Sequence, residues 1–141
     1  MTRRMVVVGG DAAGMSAAST ALRHAPAGEL EVVVFERGHH TSYSACGIPY
    51  WIAGEVPDGA DLIARSPAEH RRAGIDLRMR SEVTAIDLER NEVAVREVDG
   101  GAEYHAEYRV LRCRACKVGL HPAHFAPHLS TVHSGAPTAS S

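Results

Sequence analysis

Residues 5 to 15 read MVVVGGDAAGM: an apolar run, two glycines, an acid, two alanines and a third glycine. Such a run, with no polar alternation, suits a strand buried on both faces. Glycines directly behind it suit a tight turn, because glycine enters the positive-φ region without steric cost. The next stretch, MSAASTALRH at 15–24, is rich in alanine and predicts a helix, which Pro26 and Gly28 end. LEVVVFE at 30–36 repeats the composition of the first strand. Strand, turn, helix and strand within about 30 residues make a βαβ unit with a parallel pair. The fold class is therefore α/β, with a partial Rossmann-like domain at its start.

The turn nearly matches the fingerprint G-x-G-x-x-G, with Gly9 first and Gly14 last. In that pattern the first glycine makes the turn, the second lets backbone approach a pyrophosphate, and the third seats the helix against the sheet. Here Asp11 holds the middle place, and its charge repels phosphate unless the side chain points away. Gly10 is the residue that can take over the close approach, and Ala12 and Ala13 open the helix. Glu36 ends the second strand 22 residues after Gly14. An acid there can accept from both hydroxyls of an adenosine ribose. The alternative is a strand, turn and helix with no ligand, and a dinucleotide at this site could be FAD or NAD.

Beyond Arg37 the chain reads mostly as loop as far as Asp61. SPAEHRRAG at 66–74 predicts a short helix with Ser66 as N-cap, Pro67 first, Glu69 in the first turn and Gly74 after the end. IDLRMR, EVTAIDLE and EVAVREV then alternate with period two, and with AEYHAEYRV they predict a small antiparallel β-meander. After about Val110 the periodicity stops. We divide the chain accordingly into a nucleotide-binding domain at 1–110 and an irregular, poorly ordered tail at 111–141.

Bulk composition excludes some classes. The formal charge of −2 leaves no electrostatic footprint for nucleic acid or an anionic membrane, and no apolar run approaches a bilayer span. Three cysteines form no disulfide framework. The expected location is cytoplasmic. One cysteine, Cys46 in TSYSACGIPYW at 41–51, stands against a Gly-Ile-Pro-Tyr turn. A helix starting just after it would lower the thiol's affinity for its proton, Pro49 would fix the backbone, and Gly47 would admit a ring. The opposing expectation is a small buried apolar residue.

Taken together in this order, VVVGGDAAGMSAAS, VVVFERG and TSYSACGIPY resemble the N-terminal part of the coenzyme A-disulfide reductase and NADH oxidase branch of the pyridine nucleotide-disulfide oxidoreductases. The likeness covers roughly residues 4 to 108. It implies an FAD-dependent, NAD(P)H-linked enzyme that reduces a disulfide, such as coenzyme A disulfide, or oxygen. It assigns Gly9, Gly10, Asp11, Ala12, Ala13, Gly14 and Glu36 to FAD, with Arg37 and Val83 at the adenosine end. Ser42 and Cys46 match the family's serine, three residues, cysteine arrangement, which makes Cys46 the redox cysteine. Ser16, Thr20 and Arg23 share one helical face that touches substrate in the coenzyme A branch; a solvated face is the alternative reading. Tyr50 either flanks the thiol or packs.

Family members are homodimers with a second nucleotide domain and an interface domain, and this chain is expected to be a truncated part. The likeness ends after AEY, and we expect the tail to be an out-of-frame or unrelated ending. Its Cys113 and Cys116 with His128 and His133 approach the spacing of a zinc finger, although Pro122 and Pro127 interrupt the helix a finger needs. No metal site is assigned. A non-catalytic nucleotide-binding remnant remains a third reading.

Overall fold

The computed structural model describes residues 2–109, together with the backbone of two short strands at Leu111–Arg112 and Gly119–Leu120. The chain divides into two compact units, Met1–Arg109 and Val110–Ser141. The zinc-finger residues Cys113, Cys116, His128 and His133 lie outside the described residues. In the second unit the two short strands pair antiparallel, Leu111 opposite Leu120.

The first unit begins with β1 (Arg3–Val8), α1 (Ala12–His24) and β2 (Leu30–Glu36), and β1 and β2 pair in parallel. The helix starts three residues earlier than its composition suggests, because the turn uses only Gly9, Gly10 and Asp11. After β2 come a 3-10 turn at Ala45–Gly47, α2 (Ile48–Ile52), a second 3-10 turn at Gly59–Leu62 and α3 (Pro67–Arg72). Ser66 and Glu69 form a complete capping box at the start of α3, and Gly74 leaves its end at φ +90°.

One strand departs from the expected meander. β3 (Ile75–Met79) pairs in parallel with β2, giving a three-stranded sheet in the order β1-β2-β3. α3 is the cause: a helix between two strands supplies the crossover that parallel pairing needs. The meander is left with β4 (Ser81–Asp87), β5 (Glu92–Glu97) and β6 (Glu103–Glu107). Arg80, at φ +57°, makes the corner between the two sheets.

The sheets account for the unbroken apolar run of β2. Val32 and Val34 pack with Val7, Ile75 and Leu77 under Met15 and Ala18 of α1. Val33 and Phe35 pack on the opposite side with Val93 and Val95 of the meander. Both faces of β2 are covered from Val32 to Phe35, so its polar side chains, Glu31 and Glu36, lie outside that stretch. No helix among the described residues is long and apolar enough to cross a membrane.

Candidate active site

The turn after β1 is built as its glycines require. Gly9 sits at φ +97°, and its N–H donates to the Phe35 carbonyl at 2.8 Å. A side chain at Gly14 would collide with the Gly9 carbonyl and approach Val7 Cγ1 to 3.1 Å, so this glycine sets how closely α1 lies on the sheet. Ala12 and Ala13 form the first turn of α1, where backbone N–H groups have no partner within the helix.

Asp11 occupies the N-cap position without capping the helix. Its carboxylate instead accepts the Tyr43 N–H at 2.8 Å. Glu36 Oε2 accepts from Gly10 N at 2.7 Å and Oε1 accepts from Gly38 N at 2.6 Å. An added Cβ at Gly10 would stand 3.0 Å from Glu36 Cβ. Gly10 thus serves the approach of Glu36 to the turn. Gly9, Glu36, Arg37 and Val83 line one recess of about 230 Å³. Val83 lies on β4 at a bulge, while the Arg37 side chain is mostly exposed and 4.0 Å from Glu82.

The Cys46 loop is fastened to this turn. The Thr41 hydroxyl and the Ser42 N–H both donate to the Gly10 carbonyl, the latter at 3.1 Å, next to the Asp11–Tyr43 bond. From the other side, Ser44 N donates to Leu62 O at 2.8 Å and Ala64 N donates to Ser42 O at 3.0 Å. Held between these two strips of backbone, Cys46 is exposed, which overturns the alternative of a buried apolar cysteine. Two expectations about its surroundings also change. The neighbour that Gly47 admits is the Leu62 side chain. The helix that follows has five residues, too few to build a substantial macrodipole at the sulfur.

Asp11, Ala12, Ser16, Arg23, Ser42 and Cys46 line a single cleft of about 860 Å³. Thr20 is not part of its lining; its hydroxyl accepts from Arg23 Nη2 at 3.2 Å and so orients the guanidinium. Tyr50 is 56 % exposed and does not line this cleft. Among the other residues lining the cleft are two basic ones that sequence patterns did not assign to a site, Arg65 and His70. His70 is buried, and its Nε2 lies 2.8 Å from Ser42 Oγ. Its place on an amphipathic helix gave no local sign of a partner 28 residues away.

The model of the family described as pyridine nucleotide-disulphide oxidoreductase matches residues 3–111. The chain belongs to this family. Its members are FAD-dependent enzymes that use NAD(P)H. The NAD(P)H sulfur oxidoreductase (CoA-dependent) of Pyrococcus abyssi is 40% identical over 111 residues, covering 77% of this chain and 24% of that protein. The coenzyme A disulfide reductase of Staphylococcus aureus is 31% identical over 109 residues, with 77% and 24% covered. The crystal structure of reduced CoADR-RHD from Bacillus anthracis superposes with a TM-score of 0.72 at 33% identity, covering 79% of this chain and 20% of that one. The resemblance read from the sequence is thereby borne out, as is the Rossmann-like α/β fold. The chain spans about a quarter of the length of the curated relatives it matches.

The residues present fit FAD. An ionised carboxylate has about four lone-pair sites. Glu36 uses one on each oxygen for backbone N–H groups, which leaves acceptors at the mouth of the recess for two ribose hydroxyls. At Gly9, an added Cβ would meet nothing within 4 Å, so the turn has open space beside it.

Proposed function

We propose that this chain carries the FAD-binding part of an NAD(P)H-linked enzyme that reduces a small-molecule disulfide, coenzyme A disulfide first among them, through Cys46. The observation that carries the reading is the shared cleft: an exposed thiol, the start of α1 and Arg23 face the same space. FAD, when bound, would take a hydride from NAD(P)H and supply an electron pair to sulfur.

The remaining work falls to the chain's own groups. Backbone N–H groups of Asp11, Ala12 and Ala13 would hold the pyrophosphate, with the helix dipole behind them. Gly9, Gly10 and Gly14 shape the turn, Glu36 would take the ribose, and Arg37 and Val83 would flank the adenine. Ser16, Arg23 and Ser42 line the substrate side, and Thr20 holds Arg23 in place. A guanidinium suits the phosphates of a coenzyme A moiety. The Cys46 thiolate would attack one sulfur of the substrate, forming a mixed disulfide as the other sulfur leaves as thiolate. A free redox thiol belongs in a reducing compartment, so the reading includes a cytoplasmic location.

The visible spectrum of the FAD-loaded full chain tests this reading. Cys46→Ser should retain FAD yet shift the flavin bands, because the sulfur against the ring is gone. Identical spectra in the two proteins would contradict it.

A further inference from the structure

The geometry points to Arg80 as a positioning residue that clasps the recess lined by Gly9, Glu36, Arg37 and Val83 and so fixes how far apart its two walls stand. This rests on the reading of that recess as the adenosine end of the FAD site.

The two walls come from different sheets. Phe35, Glu36 and Arg37 stand at the end of β2, whereas Ser81, Glu82 and Val83 open β4. No strand ladder joins them, because β2 belongs to the parallel sheet and β4 to the meander. Phe35 and Val83 pack in one apolar cluster, which holds the walls together at that point. At Arg37 the ties are polar. Arg37 Nη1 is 4.0 Å from Glu82 Oε1, a long pair whose other carboxylate oxygen is engaged by Arg96 Nη2 at 2.6 Å. The short tie is made by Arg80, whose Nη1 donates to the Arg37 carbonyl at 3.0 Å.

Arg80 is placed to join the two walls. It precedes Ser81 directly, so its backbone moves with β4 while its side chain holds the residue after β2. The backbone is fixed in turn: its carbonyl accepts from Val98 N at 2.9 Å, and its φ is +57°. Asp99, in the turn between β5 and β6, takes one edge of the guanidinium, with Nε–Oδ2 at 3.1 Å and Nη2–Oδ1 at 2.7 Å. Nη1 is left to reach Arg37. A planar fork serves both partners at once, which the point charge of a lysine does not. The guanidinium keeps the Asp99 carboxyl below the ordinary carboxylate range, so the pair is intact at neutral pH. Such an exposed ion pair adds little to overall stability. Its consequence is local, at the backbone of Arg37 beside the Glu36 carboxylate. Arg80 does not line the recess; it acts through Arg37.

The test is isothermal titration of the full chain with FAD and, separately, with ADP. Arg80→Gly removes the clasp and suits the corner, since glycine takes a positive φ without strain; its urea midpoint should stay near the parent's. Both ligands should bind it about three- to tenfold more weakly, the equivalent of one lost hydrogen bond. Arg80→Lys, which keeps one donor, should fall between the two. Asp99→Ala frees the fork without touching the corner's backbone and should weaken both ligands as well. The double variant should be no weaker than Arg80→Gly alone, because Asp99 acts through Arg80. If Arg80→Gly does not fold, Arg80→Lys and Asp99→Ala decide. Unchanged affinities in these variants, a loss for FAD that ADP does not share, or additive losses in the double variant would overturn the proposal. Failure of the underlying reading looks different: the parent chain itself would then bind neither ligand.

Discussion

Asp11 stands where the phosphate-binding fingerprint has glycine, and its carboxylate is occupied by the Tyr43 N–H at 2.8 Å. The charge that seemed an obstacle to pyrophosphate is thus turned toward the loop that carries Cys46. His70 has the opposite character, since it is invisible in the local pattern and decisive in space. Burial lowers the proton affinity of its folded form. The unfolded chain therefore binds more protons below about pH 6.5, and stability rises with pH there. The contribution is complete above that pH and is lost as pH falls. Urea midpoints should drop between about pH 7 and pH 5, and the drop should shrink in His70→Gln. A drop of equal size in both proteins would show that another group is responsible.

The contact between α1 and β1 depends on one missing side chain. A methyl group at Gly14 has nowhere to go, because its obstacle is the Gly9 backbone. Gly14→Ala should destabilise the chain by about 2–4 kcal/mol, in the range of severe overpacking, as read from urea unfolding. Gly10→Ala meets a Cβ 3.0 Å away and should cost less. A Gly14→Ala protein as stable as the parent would mean that the helix is not seated as described. This was legible from the fingerprint, because the third glycine has that known steric task. β3 was less legible. Alternation in IDLRM gives a strand but not its partner; only the crossover through α3 assigns it to the parallel sheet.

Across the whole described unit, a parallel sheet lies between α1 on one face and the meander on the other. That β2 is buried on both faces was readable from VVVF; that the meander supplies the second cover was not, because it depends on the turn at Arg80. The cleft itself was partly readable. Ser16, Arg23, Ser42 and Cys46 came from pattern and resemblance, whereas Arg65 and His70 arrive from a segment whose place depends on tertiary pairing through Ser44, Leu62 and Ala64. Apolar side chains of α2 remain exposed, Ile52 at 80 %. In the Pyrococcus abyssi relative, the matching segment is 24% of the protein's length. On the proposed function, the opening turn and Glu36 would bind the adenosine diphosphate half of FAD. Isothermal titration of the full chain with FAD, and with ADP as competitor, tests it most directly. We expect saturable FAD binding that ADP displaces, weakened about tenfold or more by Glu36→Gln, the loss expected for a charge-assisted hydrogen bond. Binding that ignores both ADP and the Glu36 substitution, or no binding at all, would contradict the account.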